Sequence, residues 1–215
     1  MADYWKDRRV LITGADGFIG SHLTESLMAK GARVSVFVQE KSSTGHVQAR
    51  LKNISHLRDK ITEIITGNIA DKDTSNFIRK NAPEVVFHLA AKAYVNFSFD
   101  HPYGVHETNA TGTLNVLEAA RLNSSIKRVV CTSSSEIYGT AQYSPIDEKH
   151  PLNPSTPYAA SKVAADRYCY SYWSTYGLPV AVIRPFNIFG PRHTYDAIPK
   201  FIDLAVRGKP LPIYG

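Results

Sequence analysis

The chain has 215 residues, of which 43% are hydrophobic and 20% charged, so it can bury a hydrophobic core without covalent cross-links. Two cysteines, Cys131 and Cys169, are too few for a disulfide framework, and no run of eighteen apolar residues predicts a membrane span. The net charge of +6 suits an anionic ligand such as a nucleotide and equally fits a solvated basic surface, without a pattern typical of nucleic-acid binding. Because the N-terminal segment is polar and lacks the apolar stretch of a signal peptide, we expect a reduced, cytoplasmic protein.

Short apolar runs alternate along the chain with longer segments of helical period, which is typical of a parallel β-sheet with crossover helices. Strands are predicted over residues 9–13, 33–38, 61–66, 84–89, 127–132 and 179–184. Helices are predicted over residues 21–30, 74–81, 108–122 and 157–176. Gly31 and Gly177 stand where a left-handed residue would end the first and last helices, and the proline-rich stretch 143–157 is predicted to be a loop. The pattern predicts an α/β fold.

The first strand runs directly into a turn that contains three glycines, Gly14, Gly17 and Gly20, followed by a helix. In such a turn a pyrophosphate can meet a helix N-terminus. Gly14 would make the tight turn, Gly17 would let the backbone approach phosphate, and Gly20 would allow close helix packing. The spacing is GxxGxxG instead of GxGxxG, and a plain βα turn is the alternative. With a strand before it and a helix after it, the turn predicts nucleotide binding.

The end of the second strand is where a dinucleotide site commonly carries an acid for the adenosine ribose. Glu40 follows Gln39 and can bond the 2′-hydroxyl, whereas Lys41 with Ser42 and Ser43 can equally hold a 2′-phosphate. The sequence therefore leaves open whether the cofactor is NAD or NADP, and all of these residues can also be solvated loop residues.

Tyr158 and Lys162 are four residues apart and share one face of a predicted helix. An ammonium beside a phenol, with a cationic nicotinamide ring nearby, is expected to lower the pKa of the tyrosine toward the working pH. Tyr158 would then be a base for a substrate hydroxyl, while Lys162 would also bond the nicotinamide ribose. A Tyr-x-x-x-Lys pair is usually structural, but its combination with the glycine turn is much more specific.

Six segments, in order, resemble the motifs of extended short-chain dehydrogenases/reductases, in the nucleotide-sugar epimerase/dehydratase branch: residues 13–20, 67–69, 87–91, 109–113, 158–162 and 184–192. The resemblance implies a Rossmann-type doubly wound parallel sheet. The cofactor-binding residues that it implies, besides the three glycines, Tyr158 and Lys162, are Asp16, Phe18, Ile19, Gln39, Lys41, Asn68, Ile69, Leu89, Ala90, Ala91, Asn109 and Pro185. Asn109 would brace either the sheet or the cofactor. Asn68 stands where the family usually has aspartate. His88 is expected to be a satisfied core histidine.

The residues after the fifth strand resemble those of sugar-nucleotide 4,6-dehydratases, with Glu136 as the discriminating residue. The resemblance implies that Tyr158 removes the proton of the sugar 4-hydroxyl as hydride passes to the nicotinamide, with Ser134 bonding that hydroxyl. Glu136 would then take the proton from the neighbouring carbon, and water would leave carbon 6 with acid assistance from Glu136 or Ser135. The product would be a 4-keto-6-deoxy sugar nucleotide. Asn187 and Lys200 would contact the substrate.

Other functions stay open within and outside this family. A 4-epimerase and a glucuronate decarboxylase are the main rivals, since the decarboxylases also carry a Ser-Glu pair, and a non-catalytic NAD(P)-binding protein is a different class. We expect a Rossmann domain over residues 1–184 and the beginning of a nucleotide-sugar-binding domain over 185–215, because the family continues for roughly a hundred residues more. A homodimer through helices 108–122 and 157–176 is expected, and neither a metal, a nucleic acid nor a membrane.

Overall fold

The computed structural model describes residues 4–39 and 51–213 of the chain. Its six strands are β1 (Arg9–Thr13), β2 (Arg33–Gln39), β3 (Glu63–Gly67), β4 (Val85–His88), β5 (Arg128–Thr132) and β6 (Val180–Ile183). They form one sheet in the order β3-β2-β1-β4-β5-β6, and every neighbouring pair is parallel. This is the strand order of doubly wound dinucleotide-binding folds, and it confirms the predicted Rossmann-type class.

The sheet is buried on both faces, which explains why its strands are continuous apolar runs in the sequence. In β1, Val10 and Ile12 belong to one hydrophobic core, and Leu11 belongs to the other. Adjacent side chains of a strand point to opposite faces, so this division follows from the strand geometry. All three side chains are at most 1% exposed.

The helices cover the two faces of the sheet. They are α1 (Phe18–Ala29), α2 (Thr74–Asn81), α3 (Phe97–Asp100), α4 (Pro102–His106), α5 (Gly112–Arg121), α6 (Pro157–Tyr176) and α7 (Ala197–Val206). The sequence predicted α2 and α6 with the observed bounds. It did not predict α3, α7 or the 3₁₀ turns Ser55–Lys60 and Ser135–Tyr138. Within the described ranges, no helix combines the length and the apolar character needed to cross a membrane.

Helices α1 and α5 do not begin where the sequence predicts, and α4 is not predicted. Helix α1 begins at Phe18 because Gly17 is already its extended N-cap, so the helix grows directly out of the glycine turn. The predicted helix 108–122 is preceded by α4 and by the π-helical turn Glu107–Thr111, which leads into α5. A Cβ on Gly112 would lie 2.7 Å from Cγ2 of Ile69, so the helix lies close to the segment after β3 at this point.

The predicted helix ends and the predicted loop are confirmed. Gly31 and Gly177 have φ values of 82° and 65°, in the left-handed region that favours glycine. Residues 141–156 contain neither helix nor strand. His150 is buried within this loop, where its Nε2 accepts from the backbone N–H of Gln142 at 2.9 Å and its Nδ1 donates to the carbonyl of Pro151 at 2.9 Å. The loop is therefore held by internal hydrogen bonds.

Candidate active site

The glycine turn connects β1 to α1 at the carboxyl edge of the sheet. Gly14 has a φ of 70°, and a Cβ there would lie 2.7 Å from the backbone nitrogen of Ala90. A Cβ on Gly20 would overlap the carbonyl oxygen of Gly14. Among the described residues no side chain caps the start of α1, so the positive end of the helix is available to an anion. Gly14 and Gly20 thus have the geometric roles that their spacing predicted, while the approach of a phosphate to Gly17 stays a prediction.

Two clefts meet at this turn, and both have Gly14, Gly17, Leu89 and Ala91 in their walls. The β2 cleft, of about 460 Å³, is also lined by Asp16, Gln39, Asn68, Ile69 and Ala90. The β5 cleft, of about 560 Å³, is also lined by Phe18, Ile19, Gly20, Ser134, Ser135, Glu136, Tyr158, Lys162, Pro185 and Asn187. Together the clefts cross the sheet where the strand order reverses, which is where α/β sheets bind ligands.

The predicted catalytic residues converge in the β5 cleft from two elements. Ser134 caps the 3₁₀ turn that carries Glu136, because its Oγ accepts from the backbone N–H of Glu136 at 3.2 Å. Tyr158 lies in the first turn of α6, which is capped by the Oγ1 of Thr156. The hydroxyl of Ser134 lies near enough to the phenol of Tyr158 to lower its pKa by hydrogen bonding. The structure therefore brings together two segments that are more than twenty residues apart in the chain.

Burial dominates the electrostatics of the Tyr158–Lys162 pair. Desolvation raises the pKa of Tyr158, although its hydrogen bond with Ser134 acts in the opposite direction. The Lys162 ammonium donates to the carbonyl of Thr132 at 2.8 Å, and the lowering of the Tyr158 pKa by Lys162 together with a nicotinamide ring stays a prediction. Desolvation lowers the pKa of Lys162 itself to about 8.

A buried chain of hydrogen bonds supports the cleft from behind. Thr13 Oγ1 lies 2.8 Å from Nδ1 of His88, and Thr113 Oγ1 lies 3.0 Å from its Nε2. Thr113 already donates its proton to the carbonyl of Asn109, so His88 must donate from Nε2 and accept at Nδ1. Burial lowers the pKa of His88 to about 3, which keeps the ring neutral. The prediction of a satisfied core histidine is confirmed.

Two predicted ligand residues form hydrogen bonds within the protein itself. The carboxylate of Asp16 accepts from the backbone N–H groups of Lys52 and Asn53 at 3.0 and 2.8 Å, so it fixes that segment beside the β2 cleft. Asn109 is 1% exposed and lines neither cleft, because its amide is bonded to the backbone of Lys92 and to Ser161. Of the two roles that the resemblance implies for Asn109, its hydrogen bonds fit the bracing of the protein.

The other predicted ligand residues differ in whether they line a cleft. Lys200 is exposed on α7 and lines neither cleft. Asn68, where the family usually has aspartate, accepts from the backbone N–H of Ala70 at 3.1 Å and lines the β2 cleft. Lys41 and Glu40, the residues named for choosing between NAD and NADP, lie outside the described residues.

The sequence reasoning missed the segment that follows Arg192. His193, Tyr195 and Asp196 line the β5 cleft together with Glu136 and Tyr158. No periodicity marks these residues, and the only available signal was that they follow the segment 184–192. Tyr195 and Asp196 lie within electrostatic range of Tyr158, since the charge of each acts to raise its pKa.

The fold and the two clefts define an α/β protein of the dinucleotide-binding type, with a Ser–Tyr–Lys constellation at the carboxyl edge of its sheet. Residues 11–214 match the model of the family described as GDP-mannose 4,6 dehydratase. The chain belongs to this family, which is part of the NAD-dependent epimerases and dehydratases.

Individual relatives divide between two activities. A UDP-glucose 4-epimerase of Mycolicibacterium smegmatis is 37% identical over 96% of this chain and 66% of its own length. The solved UDP-N-acetylglucosamine 4-epimerase of Methanobrevibacter ruminantium M1 is 32% identical, with a TM-score of 0.85 over 98% of this chain and 66% of that one. The dTDP-glucose 4,6-dehydratase DesIV of Streptomyces venezuelae, solved with NAD bound, is also 32% identical, with a TM-score of 0.83 over 96% and 65%. The chain spans about a third to two thirds of the length of the curated relatives it matches.

Proposed function

We propose that this chain is the NAD-binding part of a nucleotide-sugar 4,6-dehydratase, a lyase that converts an NDP-hexose to an NDP-4-keto-6-deoxy-hexose. The observation that carries the proposal is the carboxylate of Glu136, which shares the β5 cleft with Ser134 and Tyr158. Loss of water needs a base for a carbon-bound proton, and a carboxylate next to the reacting carbon can supply it. An epimerase only rotates its keto intermediate within the site and needs no base for a carbon-bound proton.

The residues present fit a dinucleotide. The uncapped start of α1 suits a pyrophosphate, and the β2 cleft ends at Gln39, Asn68 and Ile69, where an adenosine would lie. Tyr158 and Lys162 would border the nicotinamide end, in the β5 cleft. Since a related dehydratase is solved with NAD, we infer NAD as the cofactor. When bound, it would supply the hydride acceptor and donor of the reaction.

The side chains of the β5 cleft would then divide the proton transfers among them. Tyr158 takes the proton of the sugar 4-hydroxyl, while Ser134 holds that hydroxyl and favours the phenolate by its hydrogen bond. Lys162 holds the nicotinamide ribose with its buried ammonium. Glu136 removes the proton from the carbon beside the ketone, and the hydroxyl on carbon 6 takes a proton from Glu136 or Ser135 and leaves as water. Carbon 6 would then gain the hydride and carbon 5 a proton, which completes the 4-keto-6-deoxy sugar.

A 4-epimerase is the second candidate. It is favoured by relatives that carry this name at 37 and 32% identity, which is as similar as the dehydratases are. A glucuronate decarboxylase, which would also use a Ser-Glu pair, and a non-catalytic NAD-binding protein complete the alternatives. The three activities differ in the mass of the product, because an epimerase conserves mass, a dehydratase loses water and a decarboxylase loses carbon dioxide.

We further propose a cytoplasmic homodimer, with residues 1–184 as the Rossmann domain and 185–215 as the beginning of the nucleotide-sugar-binding domain. The support for a dimer is a band of exposed aromatic side chains on α6, which includes Tyr170, Trp173 and Tyr176, each more than half exposed. Sedimentation of the protein and of a Trp173→Glu variant would test it, since a charge in an apolar seam should shift the mass to that of a monomer.

Mass spectrometry is the direct test of the activity. The purified protein with NAD is incubated with UDP-, GDP- and dTDP-hexoses, beside a Glu136→Gln variant that keeps the size of the side chain. Loss of one water from one nucleotide sugar, reduced at least 100-fold by the substitution, is the expected result. An unchanged mass with every sugar, despite bound NAD, would contradict the dehydratase activity. The 4-epimerase activity would then be the next candidate, and a sugar analysis of the same samples would detect its product.

A further inference from the structure

A second carboxylate lines the β5 cleft, in a segment far along the chain from the turn that carries Glu136. Asp196 lies in the connection from β6 to α7 and lines the cleft with Tyr195 and Tyr158. Its charge acts on the phenol of Tyr158, as does the charge of Glu136, so both carboxylates lie within electrostatic range of the proposed reacting centre. The proton transfers described above use Glu136 and leave Asp196 without a role.

His193 holds this second carboxylate in position. Nε2 of His193 lies 3.1 Å from Oδ2 of Asp196, and the imidazole stacks on Phe18 with the rings 2° from parallel and 4.8 Å apart. The His193 side chain is only 4% exposed, and its Nδ1 is buried with no hydrogen-bond partner among the described residues. A proton on Nδ1 would be a buried unpaired donor, so the favoured tautomer carries its proton on Nε2 and donates it to Asp196.

The backbone at Asp196 adopts a conformation that is costly for any residue with a Cβ. Its φ and ψ are 74° and 171°, a combination that is essentially restricted to glycine. Such strain persists where the surrounding structure fixes it, and it concentrates at ligand-binding positions. A glycine would adopt this backbone conformation without strain and would make the fold more stable. The presence of aspartate instead indicates that its carboxylate has a function.

We propose that Asp196 is a specificity-determining residue, which accepts hydrogen bonds from the hydroxyls of an uncharged hexose and rejects a sugar that carries a carboxylate. The inference rests on the proposed function and names its substrate class. Of the described residues that line the β5 cleft, those with an ionic side chain are Glu136, Asp196 and Lys162. The ammonium of Lys162 is 2.8 Å from the carbonyl of Thr132 and is buried, so a uronate would face two carboxylates near the reacting centre.

Competitive calorimetry with the NAD-loaded full chain tests this inference by binding, without requiring turnover. UDP, dTDP and GDP alone first identify the nucleotide, and the glucose and glucuronate forms of that nucleotide, which differ only at carbon 6, are then compared. We expect the glucose form to bind at least tenfold more tightly. Asp196→Asn should reduce this ratio at least fivefold, because it removes the charge and keeps the shape.

Two further variants separate charge from structure. Asp196→Gly relieves the backbone strain, so it should raise the melting temperature and still lose the discrimination. Asp203→Asn removes an exposed carboxylate of α7, outside the cleft, and should leave the ratio unchanged.

The outcomes distinguish this inference from the function on which it rests. Equal binding of both sugars by the unchanged protein, or a ratio that Asp196→Asn and Asp196→Gly do not alter, would overturn the role of Asp196 alone. Failure of every nucleotide to bind would overturn the proposed function and this inference with it.

Discussion

Asp166 and Arg184 are joined by two hydrogen bonds of 2.9 Å, from Nε to Oδ2 and from Nη2 to Oδ1. Asp166 lies on α6 one turn beyond Lys162, and Arg184 follows β6. Nη1 of Arg184 also donates to the hydroxyl of Tyr138 at 2.9 Å, in the turn that carries Glu136. Burial acts to raise the pKa of Asp166, but the hydrogen bonds from Arg184 and Arg167 outweigh it and lower that pKa. One ion pair thus connects the segments that carry the proposed catalytic groups.

Removing one partner of this pair should destabilise the fold. Asp166→Asn leaves the Arg184 guanidinium, whose side chain is 16% exposed, without its carboxylate, so we expect a loss of about 3 kcal/mol in the free energy of unfolding. Urea denaturation at pH 7 measures it, with the exposed Asp203→Asn as control, expected within about 0.5 kcal/mol of the parent. Because the folded pKa of Asp166 is lowered, its contribution is present above its unfolded pKa and is lost as the pH falls through the folded pKa. Equal stability of Asp166→Asn and the parent would contradict a structural role for the pair.

His88 should make the protein less stable in mild acid. Its folded pKa of about 3 lies below its unfolded value, so the unfolded chain binds one more proton between about pH 6.5 and pH 3. The free energy of unfolding should therefore decrease by about 1.4 kcal/mol per pH unit from this group as the pH falls below 6.5. Urea titrations from pH 7 to pH 5 should show this slope in the parent. A His88→Gln variant should lack it, and identical slopes in the two proteins would refute the assignment.

Gly20 and Gly177 should respond differently to alanine. At Gly20 the added Cβ overlaps the carbonyl oxygen of Gly14, so the turn must shift, and we expect a loss of about 3 kcal/mol and much weaker NAD binding. At Gly177 nothing lies within 4 Å, so alanine meets only the cost of a positive φ, about 1 kcal/mol. Thermal unfolding and NAD titration of both variants give the comparison. Equal NAD affinities would show that the turn does not need the close approach at Gly20.

The buried ammonium of Lys162 should lower the free energy of unfolding. Its folded pKa of about 8 lies below the unfolded value of about 10.4, so burying the charged form costs free energy at pH 7. We expect Lys162→Met to gain about 1 to 2 kcal/mol, after the lost hydrogen bond to Thr132 offsets part of the gain, and to lose turnover. The stability advantage of the variant should shrink between pH 8 and pH 10. A destabilised Lys162→Met protein would show that the hydrogen bond outweighs the desolvation.

Ser134 should control the pH at which Tyr158 becomes a base. Burial raises the pKa of Tyr158, and the hydrogen bond with Ser134 lowers it again in part. Turnover should rise with pH above neutrality as the phenolate forms, and Ser134→Ala should move this rise to higher pH. The Tyr158→Phe variant, which lacks the base, should lose turnover by about 100-fold or more. Profiles of kcat against pH measure the shift. A profile that Ser134→Ala leaves in place would separate Ser134 from the base.

The sequence was sufficient for those features that depend on local chemistry. The strands could be predicted because both faces of the sheet are buried and each strand is therefore a continuous apolar run. The ends of α1 and α6 could be predicted because Gly31 and Gly177 adopt a left-handed backbone that other residues avoid. The glycine turn and the Tyr158–Lys162 pair are also local, since their geometry follows from a few consecutive residues. The sequence pattern does not define the first residue of a helix where a turn leads directly into it, as at Gly17 and Phe18.

The tertiary structure decided which side chains that are distant in sequence are buried together and line the same cleft. The pKa of Tyr158 is raised because the fold buries the phenol, and the ammonium of Lys162 is directed to the carbonyl of Thr132. Asn109 turned out to brace a wall because its partners, Lys92 and Ser161, come from other elements. Asp196 joined the site only through the course of the chain after β6. Electrostatic and hydrogen-bonding energies depend on distances between atoms remote in sequence, and folding alone sets these distances.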